Sequence, residues 1–257
     1  MGNELHRAAL RESELNAELS PYWRVSVVDV TGSTQIDLAN KVRNHSAIDG
    51  EVLIANYQSA GQGRLDRDFL APPSTALLFS LYKKNERPRN EWTFLPLLAA
   101  LSLKKTLYDL DSNVYIEVKW PNDILIHEKK VAGLLSQATD DGVILGIGLN
   151  VSMYSDELPV PTATSLLIEK FLVLDRNEII LEFLKNFNKD LEHWNKEGSS
   201  AFITSYENVC SSLRREIEVI LPNNKSQRAI AIGISPSGEL ILNDGAHVNS
   251  ADIIHLR

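Results

Sequence analysis

The sequence predicts an α+β fold: a mixed, largely antiparallel sheet with helices, followed by a small C-terminal β-barrel. Three observations carry this expectation. Four strand patterns follow one another closely between residues 114 and 151, two long helical patterns lie at 90–110 and 177–196, and several short strands separated by turn signals follow residue 210.

Taken in order, residues 4–19 place Leu5, Ala8, Ala9, Leu15 and Leu19 among charges at helical spacing and predict one amphipathic helix ending at Ser20-Pro21. Arg24–Val30 alternates its valines as a strand does, and Ser33-Thr34-Gln35 opens a helical pattern through Val42, with Ser33 a possible cap. Glu51–Tyr57 is a second strand, Gln58–Pro73 a polar loop rich in Gly, Arg, Asp and Pro, and Thr75–Tyr82 an apolar strand. Asn90–Leu110 is a largely apolar helix. Val114–Lys119, Ile124–His127, Lys130–Gln137 and Val143–Val151 are strands whose short links imply antiparallel pairing. Ile180, Leu184, Phe187, Leu191 and Trp194 mark a helix over 177–196 that begins near Asp175. The final strands, Glu216–Leu221, Gln227–Ile234, Glu239–Leu242 and Asp252–Leu256, are divided by turns at Pro222-Asn223-Asn224, Pro236-Ser237-Gly238 and Asn243-Asp244-Gly245. So small a barrel buries too little apolar surface to stand alone and is expected to dock on the rest. The expected organisation is a helical extension at 1–20, a main domain at 21–210 and the barrel at 211–257.

A chain of 257 residues with 44% hydrophobic content is long enough to bury a substantial core. With 26 Lys plus Arg against 34 Asp plus Glu, its net charge of -8 argues against a surface for DNA or acidic membrane, so any phosphate contact falls to local basic clusters. The one cysteine, Cys210, forms no internal disulfide and suits a reducing compartment. No apolar stretch is long enough to span a bilayer and the N-terminus lacks the apolar core of a secretory signal, so the expectation is a cytoplasmic protein.

Four segments carry chemistry. In Gln58-Ser59-Ala60-Gly61-Gln62-Gly63-Arg64-Leu65-Asp66-Arg67, two glycines allow close approach to a ligand and two arginines offer forked donors for phosphate or carboxylate; a solvated turn is the alternative. Lys119-Trp120-Pro121-Asn122-Asp123 puts opposite charges around a tight connection, which also suits a surface hairpin corner with Trp120 in the core. Lys130-Val131-Ala132-Gly133 interrupts a buried strand with a cation and a glycine, and is either a ligand approach or an edge lysine that blocks aggregation. Gly146-Ile147-Gly148-Leu149-Asn150 lacks the third glycine and the following helix of a dinucleotide-binding turn; a small-residue strand under a flat ligand fits better.

The order and spacing of these segments, with Ser33-Thr34-Gln35 and Ala163-Thr164-Ser165-Leu166, closely resemble the catalytic domain of biotin protein ligases from about Val27 to the C-terminus. The resemblance implies a fold related to class II aminoacyl-tRNA synthetases with a small Src-homology-like barrel. It also implies an enzyme that activates biotin with ATP as an acyl adenylate, with Mg2+, and passes it to a lysine of the biotin carboxyl carrier domain of a biotin-dependent carboxylase such as acetyl-CoA carboxylase. Ser33, Thr34, Gln35, Gln58, Gly61, Gln62, Gly63, Arg64, Lys130 and Gly133 would then bind biotin, and Arg64, Arg67, Lys119, Trp120, Asn122, Asp123, Asn150 and Arg176 would bind ATP. Arg64, Lys119 and Lys130 would be catalytic cations, and Asp123 the residue nearest the metal. Three positions depart from the family's usual pattern: Gln62 replaces an arginine, Gly32 an acidic residue and Phe69 a tryptophan. A winged-helix DNA-binding domain is not expected, nor repressor activity, and the chain is read as a monomer or homodimer.

Two other readings remain. Lipoate ligation or octanoyl transfer uses a related fold, and the transfer variant needs a pocket cysteine, which Cys210 does not suit. A non-catalytic biotin-binding module would need few of the charges Arg64, Lys119, Asp123 and Lys130.

Overall fold

The computed structural model describes residues 7–64, 67–221, 225–249 and 251–256. Residues 4–6 of the expected first helix, Leu65 and Asp66 of the glycine loop, and the turn at 222–224 lie outside the described residues. Seven strands form one sheet: β1 (Arg24–Thr31), β2 (Glu51–Gln58), β3 (Ala76–Lys84), β4 (Ile116–Lys119), β5 (Asp123–Ile126), β6 (Lys129–Ala138) and β7 (Gly142–Asn150). Their order is β1-β2-β3-β7-β6-β5-β4, with β1 and β2 parallel and every other pair antiparallel, so the expected mixed, largely antiparallel sheet is present.

The central strands are covered on both faces, which explains why β3 and β7 read as continuous apolar runs. Leu77, Phe79 and Leu81 point into the main core, where α3 (Leu95–Leu110) and α4 (Arg176–Glu197) pack, and Phe79 meets Phe183 edge-on at 5.5 Å. Asp175 caps α4 as its side chain accepts from the Asn177 N–H at 2.8 Å. On the opposite face, α2 (Thr34–Arg43) covers one end through Leu38, Ala39, Tyr82 and Ile144, while Ala71, Ala76, Leu78 and Met153 cover the other. Between those two small clusters the sheet carries Ser80, Gly146 and Gly148, small residues that leave room for a cavity.

Two helix starts differ from expectation. The first helix, α1, spans only Glu12–Leu19, because residues 7–11 are held by distant partners: Arg176 donates to Ala8 O, Asn177 to Ala9 O, and the Arg11 N–H donates to Asn177 Oδ1. α3 begins at Leu95, after a 3-10 turn at Arg89–Phe94, since Pro96 lacks an N–H and fits only the first turn of a helix. A short helix, α5 (Ile203–Val209), falls where no element was expected.

The C-terminal strands β8 (Glu216–Ile220), β9 (Ser226–Ile234), β10 (Leu240–Leu242), β11 (His247–Val248) and β12 (Asp252–His255) form an antiparallel sheet in the order β11-β10-β9-β8-β12, consistent with a small SH3-like barrel. It docks as expected. Trp120 Nε1 donates to Gly238 O at 2.9 Å, the Ser211 N–H to Val118 O at 2.8 Å, and the apolar core runs on into Ile217, Val219 and Leu240. No helix among the described residues is long and apolar enough to cross a membrane.

Candidate functional site

Two adjoining cavities open on the face of the large sheet that the helical core leaves bare. The smaller, of about 490 Å3, is bounded by Ser33, Thr34, Gln35, Gln58, Ser80 and the glycine floor. The larger, of about 1830 Å3, lies between the glycine loop, the β4–β5 and β5–β6 turns and β12. Gly63, Arg64, Phe69, Asn122 and Lys130 line both.

The parallel β1–β2 register sets Thr31 opposite Gln58, so the turn from β1 into α2 meets the end of β2. Gln58 Oε1 accepts from the Thr34 N–H at 2.7 Å and from Thr34 Oγ1 at 2.9 Å. Thr34 Oγ1 lies 2.9 Å from Ser80 Oγ, which donates to Gln35 Oε1 at 3.1 Å. Ser33 has the extended backbone of a helix cap yet makes no side-chain cap bond; it is 2% exposed and faces the cavity. The smaller cavity is thus walled at this end by linked neutral groups with no ion pair among them. Such a network is rigid and suits an uncharged polar ligand.

A side chain at either floor glycine would have to displace a neighbouring one. A Cβ at Gly146 would come within 2.6 Å of Gln35 Oε1, and one at Gly148 within 2.6 to 2.8 Å of the Phe69 ring. Gly133 and Gly148 are direct partners across β6 and β7, so two neighbouring strands lack a Cβ at the same level of the floor, where the end of Lys130 and the Phe69 ring take the space.

The glycine loop closes on itself as a small hairpin: Gln62 bridges Asp68, the Phe69 N–H donates to Gly61 O at 2.9 Å, and the Gly63 N–H to Arg67 O at 2.6 Å. That folding brings Phe69 over Gly148. Arg64 Nη1 donates to Asn122 Oδ1 at 3.3 Å and to Ala251 O at 3.2 Å, and so ties loop, hairpin and C-terminal sheet together.

Lys119 and Asp123 face each other across the β4–β5 turn, so this segment is a hairpin corner as well as a cavity wall. Asn122 fixes it to β6: its Nδ2 donates to Leu134 O and the Leu134 N–H to Asn122 O, both at 2.8 Å. Lys130 is not an unpaired edge lysine. The register shift between Ile124 and Leu125 re-aims it, its N–H donates to Thr162 O at 2.9 Å, and its carbonyl accepts from the Thr164 N–H at 2.8 Å. Its Nζ reaches Asp123 Oδ1 at 2.6 Å.

Burial lowers the pKa of Arg64, an effect that Asp252 and Asp123 oppose. It also lowers that of Lys119, opposed by Asp123 and Asp252 and aided by nearby Lys130 and Arg215. No three His, Cys, Asp or Glu side chains gather as a metal group among the described residues. Asp123 and Asn122 do offer oxygen donors at the shared wall, which suits Mg2+ held mostly by nucleotide phosphate and water and would not cage a bare ion.

Of the expected residues, Ser33, Thr34, Gln35, Gln58, Gln62, Gly63, Arg64, Lys130 and Gly133 line the smaller cavity, and Arg64, Arg67, Lys119, Asn122, Asp123 and Asn150 the larger. Asn150 also donates to Thr164 O at 2.9 Å. Gly61 lines neither; its role is in the loop, where a Cβ would meet Phe69 O at 2.5 Å. Two nucleotide candidates, Trp120 and Arg176, line neither cavity. Trp120 is 1% exposed in the core, where its indole is spent on Gly238. Arg176 is 2% exposed and bonds Ala76 O and Ala8 O, which makes it an anchor for the N-terminal segment.

Sequence reasoning missed Ser80, Arg215, Asp252 and His255 in these walls. A serine inside the apolar run of β3 was a readable signal for the first. The other three arrive only through docking of the C-terminal sheet. Cys210 is buried beside Val118, and burial pushes its thiol up to about 11, which opposes any reading that needs a cysteine nucleophile.

Residues 27–153 match the Biotin/lipoate A/B protein ligase family. The chain is 32% identical to a biotin–[acetyl-CoA-carboxylase] ligase of Mycobacterium tuberculosis, over 98% of this chain and 96% of that one. It is 27% identical to the bifunctional ligase/repressor of Escherichia coli over 85% of this chain and 68% of the relative. Its fold matches the solved biotin protein ligase from Aquifex aeolicus in complex with biotin and ATP, with a TM-score of 0.76, 26% identity, and coverage of 90% of this chain and 99% of that one. With likeness in sequence and fold running almost end to end, the chain belongs to the biotin protein ligases of the Biotin/lipoate A/B protein ligase family.

Proposed function

We propose that this chain is an ATP-dependent, AMP-forming biotin protein ligase that biotinylates a lysine of the biotin carboxyl carrier domain of a biotin-dependent carboxylase, acting in the cytoplasm. One observation supports this above the others: a neutral, glycine-floored cavity meets a cation-rich one at Arg64, Asn122 and Lys130. A ligand with a neutral ring and an anionic tail would set its carboxylate at that junction, next to the α-phosphate of a nucleotide in the larger cavity.

The chemistry follows from what a carboxylate lacks. It is a poor acyl donor, so a carboxylate oxygen attacks the α-phosphorus, the bond to pyrophosphate breaks, and a mixed anhydride with AMP forms. Negative charge grows on the phosphoryl oxygens, and the fixed cations Arg64, Lys119 and Lys130 meet it without reorganising. Mg2+ brought by the nucleotide and held at Asp123 would neutralise further phosphate charge. The loop carrying Phe69 lies over the junction and limits water there, which protects the anhydride. The amine of the acceptor lysine then attacks the acyl carbon, the bond to AMP breaks, and the amine gives up a proton as the amide forms. No enzyme nucleophile enters either step.

Pyrophosphate–ATP exchange tests the first step and the mass of a carrier-domain lysine the second. The expected result is exchange that depends on biotin and a gain of one biotinyl group. Exchange indifferent to biotin, or an unmodified carrier, would overturn the reading.

A further inference from the structure

The part of the larger cavity built by the C-terminal sheet holds a cation that the sequence motifs do not include. Arg215 lies one residue before β8, and it lines this cavity together with Lys119 and His255. Its placement follows from how the preceding chain is pinned. Cys210 bridges Val118, the neighbour of Lys119, and the N–H and Oγ of Ser211 reach Val118 O at 2.8 and 3.1 Å. Two distant stretches therefore bring like charges together.

Of the other cations here, Lys130 has Asp123 and Arg67 has Asp252 as carboxylate partners, and Arg64 donates to Asn122 Oδ1 and Ala251 O. Among the described residues no carboxylate lies within 4.0 Å of the ammonium of Lys119 or the guanidinium of Arg215. Arg215 Nη1 donates instead to His255 Nδ1 at 3.0 Å and to Ser211 O at 3.4 Å. A guanidinium has no acceptor, so Nδ1 accepts; the imidazole proton is on Nε2, which donates to Ser212 Oγ at 3.3 Å. Burial, with Lys119 and Arg215 adding repulsion, pushes His255 down to about 4, so the ring is neutral near pH 7 and keeps Nδ1 available. Asp123 and Asp252 act on Lys119, and Glu117 on Arg215, without reaching ion-pair distance of either cation. Gathering two cations, of which Lys119 is desolvated, carries a cost that an anionic ligand between them would offset.

We propose that Arg215 is a polyphosphate-binding cation of this cavity and that His255 is its positioning residue, the neutral imidazole holding the guanidinium beside Lys119. The inference rests on the reading of the larger cavity as the nucleotide site and adds the C-terminal sheet to it. Arg215 holds the anion; His255 acts only through Arg215.

The test is calorimetric titration of the full chain, saturated with biotin, with α,β-methylene ATP and magnesium, beside a titration with biotin alone. Arg215→Gln is expected to weaken nucleotide binding roughly 10- to 100-fold, the range for losing a hydrogen bond to a charged group. His255→Leu should weaken it by a smaller factor, and His255→Gln, which can still accept and donate, should recover most of that loss. The double variant Arg215→Gln with His255→Leu should bind no worse than Arg215→Gln alone, and biotin affinity should hold in all. Unchanged nucleotide affinity in Arg215→Gln, or a double variant in which the two losses multiply, would overturn the proposal. Because binding is read without turnover, a chain that shows these dependencies yet lacks biotin-dependent exchange would refute the ligase reading alone.

Discussion

Lys130 Nζ lies 2.6 Å from Asp123 Oδ1, with both groups above Gly133, where a methyl group would come within 2.9 Å of Lys130 Cε and Nζ. The absent side chain is what lets the cation lie along the sheet and point at the junction of the two cavities. Lys130→Ala should slow biotin-dependent pyrophosphate exchange roughly 100- to 1,000-fold, the usual effect of losing one preorganised donor. Gly133→Ala should be milder, because the flexible lysine end can shift, and should lower kcat more than it raises KM for biotin. Steady-state exchange kinetics distinguish the two; wild-type rates in Lys130→Ala would remove it from the chemistry.

Phe69 and Gly148 make the second prediction. With the ring filling the space a Cβ would take, Gly148→Ala must push the glycine loop outward. The expected result is faster loss of the activated intermediate to water, seen as AMP release without acceptor. If AMP release and transfer remain coupled in Gly148→Ala, the loop does not protect the intermediate.

The buried ammonium of Lys119 sets a pH limit. Burial disfavours its charged form, so its pKa in the folded chain lies below the ordinary 10.5 and it loses its proton earlier as pH rises. The same shift means that the charged lysine costs stability at neutral pH, a cost relieved as pH rises from the folded pKa towards 10.5. Exchange activity should therefore fall on the alkaline side before 10.5, at a pH where the fold itself is not weakened by this group. Lys119→Arg should move that limb to higher pH, since a guanidinium does not deprotonate in the range. An identical alkaline limb in that variant would assign it to another group.

The indole of Trp120 belongs to stability. Trp120→Phe removes the Nε1 bond to Gly238 O that joins the two sheets, at a cost of about 1 kcal/mol, or roughly 2 to 4 °C in Tm for a chain near this size. KM for ATP should stay within about twofold, because the ring does not line the larger cavity. A large rise in KM with Tm unchanged would restore Trp120 to the site.

The amino-acid sequence by itself determined the elements whose signals are local. Alternating valines gave β1, the four-and-three spacing of Ile180, Leu184, Phe187, Leu191 and Trp194 gave α4, and short links between 114 and 151 gave the antiparallel strands. It also marked most of the cavity walls, since glycines and charges inside apolar strands stand out against their neighbours, as at Lys130 and Gly133. What only the tertiary structure decided depends on partners far away in the chain. Arg176 and Asn177 hold residues 8, 9 and 11 out of a helix that local spacing alone would extend. Trp120 turns to the core because Gly238 offers its carbonyl there, and Arg215 and His255 enter the cavity because the C-terminal sheet docks against β4. The physical reason is the range of the interactions: backbone propensity and apolar periodicity are written within a few residues, whereas a hydrogen bond or a cavity wall exists only once packing has brought its two sides together.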